Sequence, residues 1–232
     1  MYTFIEKTEN GVNPMTREGF DKSLSALQQE MLRMGSMVEE AIHLAVQSLS
    51  QQDLELAKRI IDGDDFIDEL SDEIEDDCIR LIALQQPLAR DLRVITTVLK
   101  TVTDLERIAD HATNIAEITQ RIGTDHLIKP LVDIPKMAGM VEAMVRDSLK
   151  AFVDRDVEFA KATCLKDDEI DKIYEDLFVE LTGFVTAGGD TNRGVQALNL
   201  LFAARFLERV GDHATNIGER TIYLVTGKKE KY

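Results

Sequence analysis

Apolar residues recur every three or four positions along most of the chain, the spacing of one buried face on an α-helix. Two successive lines in the third predicted helix show it: Leu92, Ile95, Leu99 and Val102, then Leu105, Ile108, Ala112 and Ile115. No stretch alternates apolar and polar residues as a half-buried strand does, and no Asn-Gly or Asp-Gly turn joins two apolar runs. The pattern therefore predicts an all-α protein.

Breaks in this pattern divide the chain into six predicted helices. A proline inside a helix costs about 3 kcal/mol, so the prolines mark boundaries. They are Pro14, Pro87, Pro130 and Pro135. Gly188-Gly189 is a further break, and Asp53 and Asp156 stand where N-caps are expected. The predicted helices cover residues 16–50, 53–85, 88–122, 133–153, 156–187 and 191–226.

The second half of the chain repeats the first. Matching residues of the first two predicted helices lie 103 positions apart, as Asp53 and Asp156 do. In the third helix the offset is 102, and residues 105–117 and 207–219 are identical at 10 of 13 positions. The sequence therefore predicts two tandem, internally repeated three-helix bundles. The predicted division is an N-terminal tail (1–15), a first repeat (16–123), a linker (124–132), a second repeat (133–226) and a C-terminal tail (227–232).

Composition limits the possible functions. The 232 residues include 43 acidic and 27 basic side chains, a net charge of −16, which disfavours nucleic-acid binding and suits cations or a basic partner surface. No apolar run reaches the roughly 18 residues that a bilayer requires, and the N-terminus lacks a secretory signal pattern. The two cysteines, Cys78 and Cys164, form no disulfide framework. We therefore expect a cytoplasmic protein.

Paired carboxylates are the candidate chemistry. On a wheel of about 100° per residue, Glu106 and Asp110 lie on one line of the third helix, and the second repeat has the same arrangement. The preceding helix of each repeat carries another carboxylate pair at a spacing of four. Like charges at this spacing repel each other on an isolated helix, and a shared cation would relieve that repulsion. The eight candidate metal ligands are Asp64, Asp68, Glu106, Asp110, Asp167, Asp171, Glu208 and Asp212.

Simpler interpretations remain open for these residues. Acidic residues on long helices are usually a solvated face, most plausibly for the pairs on the second helix of each repeat. Ion pairing with Arg107 or Arg209 is a rival, although adjacent helix residues do not face each other. His111 and His213 fall off the carboxylate line, so we expect them to be structural or to face a partner. The absence of a Glu-x-x-His pair argues against a ferritin-like di-iron centre.

The sulfur-containing residues are expected to pack rather than to react. Cys78 and Cys164 lack a CxxC companion and are predicted to be small buried residues. The first and fourth predicted helices are rich in methionine, which favours core packing or a homodimer interface. These methionines are Met31, Met34, Met37, Met137, Met140 and Met144.

Several motifs together resemble the PhoU family, the accessory regulators of bacterial phosphate uptake. They are the duplicated three-helix unit, the Asp/Glu-x-x-x-Asp pairs, the segment Gln-Pro-Leu-Ala-Arg-Asp-Leu-Arg at 86–93, and the 105–117 motif with its copy at 207–219. The resemblance covers about residues 16–226. The second repeat departs from it before its third helix, where residues 188–194 read Gly-Gly-Asp-Thr-Asn-Arg-Gly. Partner contacts could therefore differ between the repeats at that position.

The resemblance implies a function and a set of partners. It implies a non-enzymatic cytoplasmic protein that restrains phosphate uptake and the phosphate-starvation response. Its partners would be the ATPase subunit of the phosphate ABC transporter and the phosphate-sensing histidine kinase, through which it would be peripheral to the membrane. It also implies metal binding at the eight carboxylates, with iron, zinc, manganese or magnesium as candidates. A metal-binding helical scaffold and a metal-dependent hydrolase are the alternatives, although no nucleophile–base pair or phosphate loop supports an enzyme.

Overall fold

The computed structural model describes residues 17–187 and 190–232, which form seven helices and no strand. The helices are α1 (Arg17–Gln51), α2 (Leu54–Gln85), α3 (Ala89–Ile122), α4 (Asp133–Asp154), α5 (Val157–Cys164), α6 (Asp167–Thr186) and α7 (Thr191–Thr226). The predicted N-terminal tail and the Gly188-Gly189 break lie outside the described residues. Within the described ranges, no helix is long and apolar enough to cross a membrane.

One predicted helix is divided in two. The sequence predicted a single helix over 156–187, but a turn at Leu165-Lys166 separates α5 from α6. The Lys166 amide donates to the Thr163 carbonyl at 3.1 Å, so this hydrogen bond spans three residues rather than the four of an α-helix. Leucine and lysine are good helix formers, so nothing local signals this turn. On either side of the turn, α5 packs against α4 and α7, and α6 packs mainly against α7.

The first turn between helices is built identically in both repeats. Gln52 and Arg155 have φ of 53° and 54°, and each is followed by an aspartate N-cap. The carboxylates of Asp53 and Asp156 accept from the backbone amides of Leu56 and Phe159, both at 2.9 Å. These predicted caps are therefore confirmed. The offset of 103 residues marks structurally equivalent positions through this turn.

The two repeats pack side by side around one continuous core. In the first repeat α1, α2 and α3 contact one another, and in the second α4 and the α5–α6 pair pack on α7. Helix α3 packs against α7, and α1 against α4, so the buried residues of both repeats form one main cluster. The fold class predicted from the sequence, two repeated three-helix bundles, is confirmed.

The methionines lie mainly inside this core. Met31, Met34, Met137 and Met144 are fully buried, and Met37 and Met140 pack partly buried against the core. Cys78 and Cys164 are buried and free, as predicted. Four of the six methionines therefore cannot supply the surface for the expected homodimer, which stays a prediction.

Helix α7 carries glycine where α3 carries alanine. Gly211 and Gly218 match Ala109 and Ala116 at the offset of 102. A Cβ on Gly218 would lie 2.6 Å from Cys164 Sγ and 3.4 Å from the Ala160 carbonyl oxygen. Because α5 approaches α7 this closely, the second repeat cannot accept the alanine that the first repeat has.

We expect Gly218→Ala to lower the free energy of unfolding by about 1–3 kcal/mol, the usual effect of overpacking. Gly139→Ala on α4 is the matched control, because nothing lies within 4 Å of its added Cβ. That substitution should be neutral or stabilising, since alanine favours a helix over glycine. Urea denaturation of both variants measures the difference, and equal stabilities would contradict the close packing of α5 on α7.

Candidate functional site

Four predicted ligands come together on one face of the first repeat. Asp64 and Asp68 on α2 face Glu106 and Asp110 on α3, and we call these four residues cluster one. Burial raises the pKa of Asp64, the Thr113 hydroxyl opposes the rise, and the charges of Asp68 and Asp110 add to it. Burial and then the Asp110 charge raise the pKa of Asp68. These carboxylates are close enough to repel one another.

The second repeat forms the same arrangement in a more enclosed setting. Asp167 and Asp171 on α6 face Glu208 and Asp212 on α7, and these four residues form cluster two. Burial raises the pKa of Asp167 to about 7, with further contributions from the charges of Asp171 and Asp212. Burial and the Asp212 charge also raise the pKa of Asp171 and of Glu208. All eight predicted residues therefore lie in one of two carboxylate clusters.

Cluster two contains oxygens without hydrogen-bond partners. Asp167 Oδ1, Glu208 Oε2 and Thr215 Oγ1 are buried and make no well-formed hydrogen bond within the described part of the chain, although the Thr215 hydroxyl lies near enough to Asp167 to lower its pKa. Gly211 explains how Asp167 fits, because a Cβ at this position would lie 2.4 Å from Asp167 Oδ1. A buried oxygen of an acidic side chain is costly unless it accepts a hydrogen bond, is protonated or binds a cation.

The carboxylates are not already arranged around an ion. Across residues 17–187 and 190–232, no three or more histidine, cysteine, aspartate or glutamate side chains are positioned to hold a metal. Mutual repulsion keeps like charges apart when no cation lies between them. Metal binding at either cluster therefore requires these side chains to rotate toward one another.

The arginines beside the clusters correct one sequence interpretation. Ion pairing with Arg107 was disfavoured because neighbours along a helix diverge, but Arg107 Nη1 lies 2.9 Å from Asp110 Oδ2, three residues away. In cluster two the corresponding pairing uses Arg205, which donates to Glu208 Oε1. Arg107 Nη2 also lies 3.9 Å from Glu106 Oε1, so Arg107 pairs with two carboxylates of cluster one, whereas Arg205 pairs with one of cluster two.

The two histidines lie between the repeats and border the same cleft as Asp167 and Asp212 of cluster two. The ring centroids of His111 on α3 and His213 on α7 are 5.6 Å apart. His111 stacks on Phe206, and His213 Nδ1 lies 3.0 Å from Asp104 Oδ1. Burial lowers the pKa of His111 to about 4 and also lowers the pKa of His213. Burial therefore favours the neutral form of both rings, and their expected structural or partner-facing role stays a prediction.

Asp104 is the residue that sequence reasoning missed. Its side chain is only 6% exposed, and Arg220 on α7 donates to its Oδ2 and to the Lys100 carbonyl. At the offset of 102 its counterpart is Phe206, which packs on His111. The repeats therefore use equivalent positions for this contact: the carboxylate of Asp104 faces His213, and the ring of Phe206 stacks on His111. The sequence contained an indication of this contact, because on a helical wheel Asp104 falls within about 20° of His111 and so lies on the same face of α3.

The C-terminal tail folds back beside cluster two. Lys231 Nζ lies 2.8 Å from Glu219 Oε2, and the Tyr232 amide donates to Glu219 Oε1 at 2.9 Å. Both tail residues border a cleft of about 490 Å³ that also touches Asp167 and Asp212. The tail therefore neutralises one acidic residue next to the cluster.

The family description "PhoU domain" matches the chain twice, at residues 31–119 and 134–221. The chain belongs to the PhoU family. The two matches fall one in each structural repeat, and each contains one complete carboxylate cluster. The PhoU domain is thus the three-helix unit that the sequence repeats.

Relatives and solved structures agree with this assignment. The chain is 43% identical to a phosphate-specific transport system accessory protein PhoU homolog from Clostridium acetobutylicum, over 93% of this chain and 98% of the relative. The homolog of the same name from Aquifex aeolicus is 42% identical, over 91% and 95%. The crystal structure of PhoU from Pseudomonas aeruginosa superposes with a TM-score of 0.85 at 34% identity, covering 90% of this chain and all of that one. The phosphate transport system regulatory protein PhoU from Streptococcus pneumoniae also superposes at 0.85, with 31% identity over 92% of this chain and all of that one.

The raised pKa of Asp167 makes the metal-free PhoU fold sensitive to pH. A carboxyl whose pKa is about 7 when folded and about 4 when unfolded stabilises the fold below pH 4, and this stability is lost as the pH rises through 7. Asp167→Asn removes the charge, so at about pH 8 the variant should be more stable than wild type, by about 1 kcal/mol after solvent screening.

Thermal unfolding in chelator from about pH 4 to pH 8 measures this effect. The difference between Asp167→Asn and wild type should vanish at the acidic end. Asp176→Asn, at an exposed position on the same helix, is the control and should follow wild type at every pH. An Asp167→Asn protein that shows no gain at pH 8 would contradict the enclosed setting of cluster two.

Proposed function

We propose that this chain restrains phosphate uptake and the phosphate-starvation response when phosphate is plentiful. One observation carries the proposal: two PhoU domains account for most of the chain, and full-length relatives at up to 43% identity are named phosphate-specific transport system accessory proteins. The chain spans 98% and 95% of the first two relatives, so its domain content is comparable to theirs.

The regulator acts by protein–protein contact rather than by catalysis. Its partners are the ATPase subunit of the phosphate ABC transporter and the phosphate-sensing histidine kinase, which it meets at the cytoplasmic side of the membrane. A net charge of −16 supports association with basic surfaces on those proteins and disfavours nucleic acid. The names of the relatives, which describe accessory and regulatory proteins, support a role without turnover.

Clusters one and two are the proposed metal sites of this regulator. Carboxylate oxygens are preferred ligands of magnesium and manganese, also bind iron, and accommodate zinc. The support is threefold: each cluster joins carboxylates from two helices, neighbouring charges raise the pKa of Asp64 and of Asp167, and Asp167 Oδ1 and Glu208 Oε2 lack partners. A bound cation would supply the missing positive charge and hold the two helices together. Asp64, Asp68, Glu106 and Asp110 would hold it in the first repeat, and Asp167, Asp171, Glu208 and Asp212 in the second.

Direct binding to the transporter subunit tests the proposed contact. The purified chain, loaded with manganese, is immobilised and exposed to the purified ATPase subunit and, separately, to the cytoplasmic part of the histidine kinase. We expect saturable binding to both, with association rates that fall as salt rises because opposite charges steer the encounter. If neither protein binds this chain, whether or not nucleotide is present, the proposal is contradicted.

A further inference from the structure

A cleft in the first repeat has an apolar lining that the core does not fill. It lies between α1 and α2, holds about 540 Å³, and is lined by Leu44 from α1 and by Ile60, Phe66 and Ile67 from α2. Phe66 lies at the edge of the cleft and is 65% exposed. Solvent contact with an aromatic ring beside an apolar cleft is unfavourable, so a partner that covers it gains binding energy.

The second repeat closes the equivalent position with an ion pair. At the offset of 103, Asp147 replaces Leu44 and Lys166 replaces Gly63, a residue that also lines the cleft. Lys166 Nζ lies 2.8 Å from Asp147 Oδ2, so a salt bridge spans the place where the first repeat is open and apolar. This salt bridge lies at the turn that separates α5 from α6, whereas α2 is continuous through Gly63, so the two repeats differ here in both side chains and helix geometry.

The rim of the cleft is acidic. Glu40 lines it from α1, and Asp62 and Glu69 lie on the same helical face as Phe66. All three are exposed and form no ion pair within the described residues, and Arg59 is the one basic side chain among the residues that line the cleft. From residue 60 to residue 79, α2 has ten acidic residues and no basic one.

We propose that this cleft is a docking groove for a basic amphipathic helix of a partner protein. The lining on α2 runs from Leu56 to Ile67, about 16 Å, which matches three turns of an α-helix. Apolar residues at helical spacing would enter the cleft, and lysine or arginine residues beside them would meet the acidic rim. The same acidic charge repels anionic lipid surfaces and a second copy of this chain.

The inference rests on the proposed function, because it gives the expected partner proteins a place to bind. Asp64 lines the cleft and also belongs to cluster one. A docked helix would therefore cover one of the proposed metal ligands. This arrangement would let a cation at cluster one and a partner helix influence each other's binding.

A fluorescent peptide tests the groove in the full chain. The peptide has about 18 residues: leucine at helical spacing, lysine at the other positions and a single tryptophan. Because the chain itself has no tryptophan, the tryptophan emission comes from the peptide alone. We expect saturable binding with a blue-shifted emission. A peptide with the same composition in scrambled order should bind at least about tenfold more weakly.

The second repeat supplies the variant that closes the groove. Leu44→Asp combined with Gly63→Lys places the side chains of Asp147 and Lys166 at the equivalent positions of the first repeat, and we expect these charges in the groove to weaken binding by about tenfold or more. Gly63→Lys alone is a second variant, since nothing lies within 4 Å of its added Cβ and lysine favours a helix. It should fold normally and weaken binding in the same direction. Val179→Asp, at a position 73% exposed on α6, is the control and should bind like wild type.

Two outcomes would overturn the docking groove: equal affinity of both groove variants and wild type, or equal affinity for the ordered and scrambled peptides. The titration uses purified protein, so it can fail while a phosphate-regulation phenotype stands. Conversely, a cell that regulates phosphate normally without this chain would refute the proposed function and leave the titration unchanged.

Discussion

Replacing Asp104 with alanine should lower the free energy of unfolding by about 3–5 kcal/mol, the largest loss we expect from a single substitution outside the apolar core. Asp104 is buried between α3 and α7, where it pairs with Arg220 and lies 3.0 Å from His213 Nδ1. Burial lowers the pKa of Arg220 to about 10, so the guanidinium is still charged at pH 7. Removing Asp104 leaves that charge without its carboxylate, which is why the loss is large.

Urea or thermal unfolding measures this loss, which corresponds to a Tm lower by roughly 10 °C. Asp154→Ala is the matched control, because it removes an exposed ion pair in which Lys150 Nζ lies 2.6 Å from Asp154 Oδ2. Exposed pairs of this kind contribute at most about 1 kcal/mol. If Asp104→Ala lost no more than the control, the contact between the repeats would not depend on this ion pair.

Metal binding should depend on the cluster carboxylates and not on the histidines. We expect the double variant Asp110→Ala/Asp212→Ala to lose metal affinity by at least about tenfold, since even changes to outer-shell residues often have effects of that size. The matched pair is His111→Gln/His213→Gln, which should keep its metal. His111 stacks on Phe206 and His213 Nδ1 lies 3.0 Å from Asp104 Oδ1, so both rings already pack between the repeats.

Metal content by mass spectrometry, after purification without chelators, measures both variants against wild type. Equal losses from the aspartate and histidine variants would contradict the assignment of ligands. Binding should also weaken on acidification, because the ligands must be ionised. For cluster two the weakening should begin near pH 7, where Asp167 gains its proton, and a cluster-two site that keeps full affinity at about pH 5 would argue against this ligand.

The sequence predicted those parts of the fold that depend on local chemistry. Asp53 and Asp156 are N-caps in both repeats because an aspartate before a helix satisfies a free backbone amide, whatever the rest of the fold does. The duplicated motif at 105–117 and 207–219 likewise placed Glu106 and Asp110 on one line of the third helix, and the same holds for Glu208 and Asp212 in the second repeat. Periodicity alone is sufficient to bring such residues onto one face.

The features that the sequence did not predict arise from contacts between helices. The turn at Leu165-Lys166 forms from residues that favour a helix, so local propensity does not predict it. Helix α5, which ends just before this turn, packs closely on Gly218 of α7. The enclosed setting of Asp167 depends on Gly211, because glycine has no Cβ to clash with Asp167 Oδ1. The pairing of Asp104 with Arg220 joins residues 116 positions apart, which no helical spacing predicts.

Phosphate uptake in cells that lack this chain and any paralogue tests directly whether the chain restrains the transporter. Labelled phosphate is supplied at high concentration, and the initial rate of uptake is compared between the deletion strain, its parent and the deletion strain carrying the gene again. We expect faster uptake and expression of phosphate-starvation genes in the deletion strain, both reversed by the restored gene. Uptake and gene expression at parental levels in phosphate-rich medium would contradict the proposed regulation.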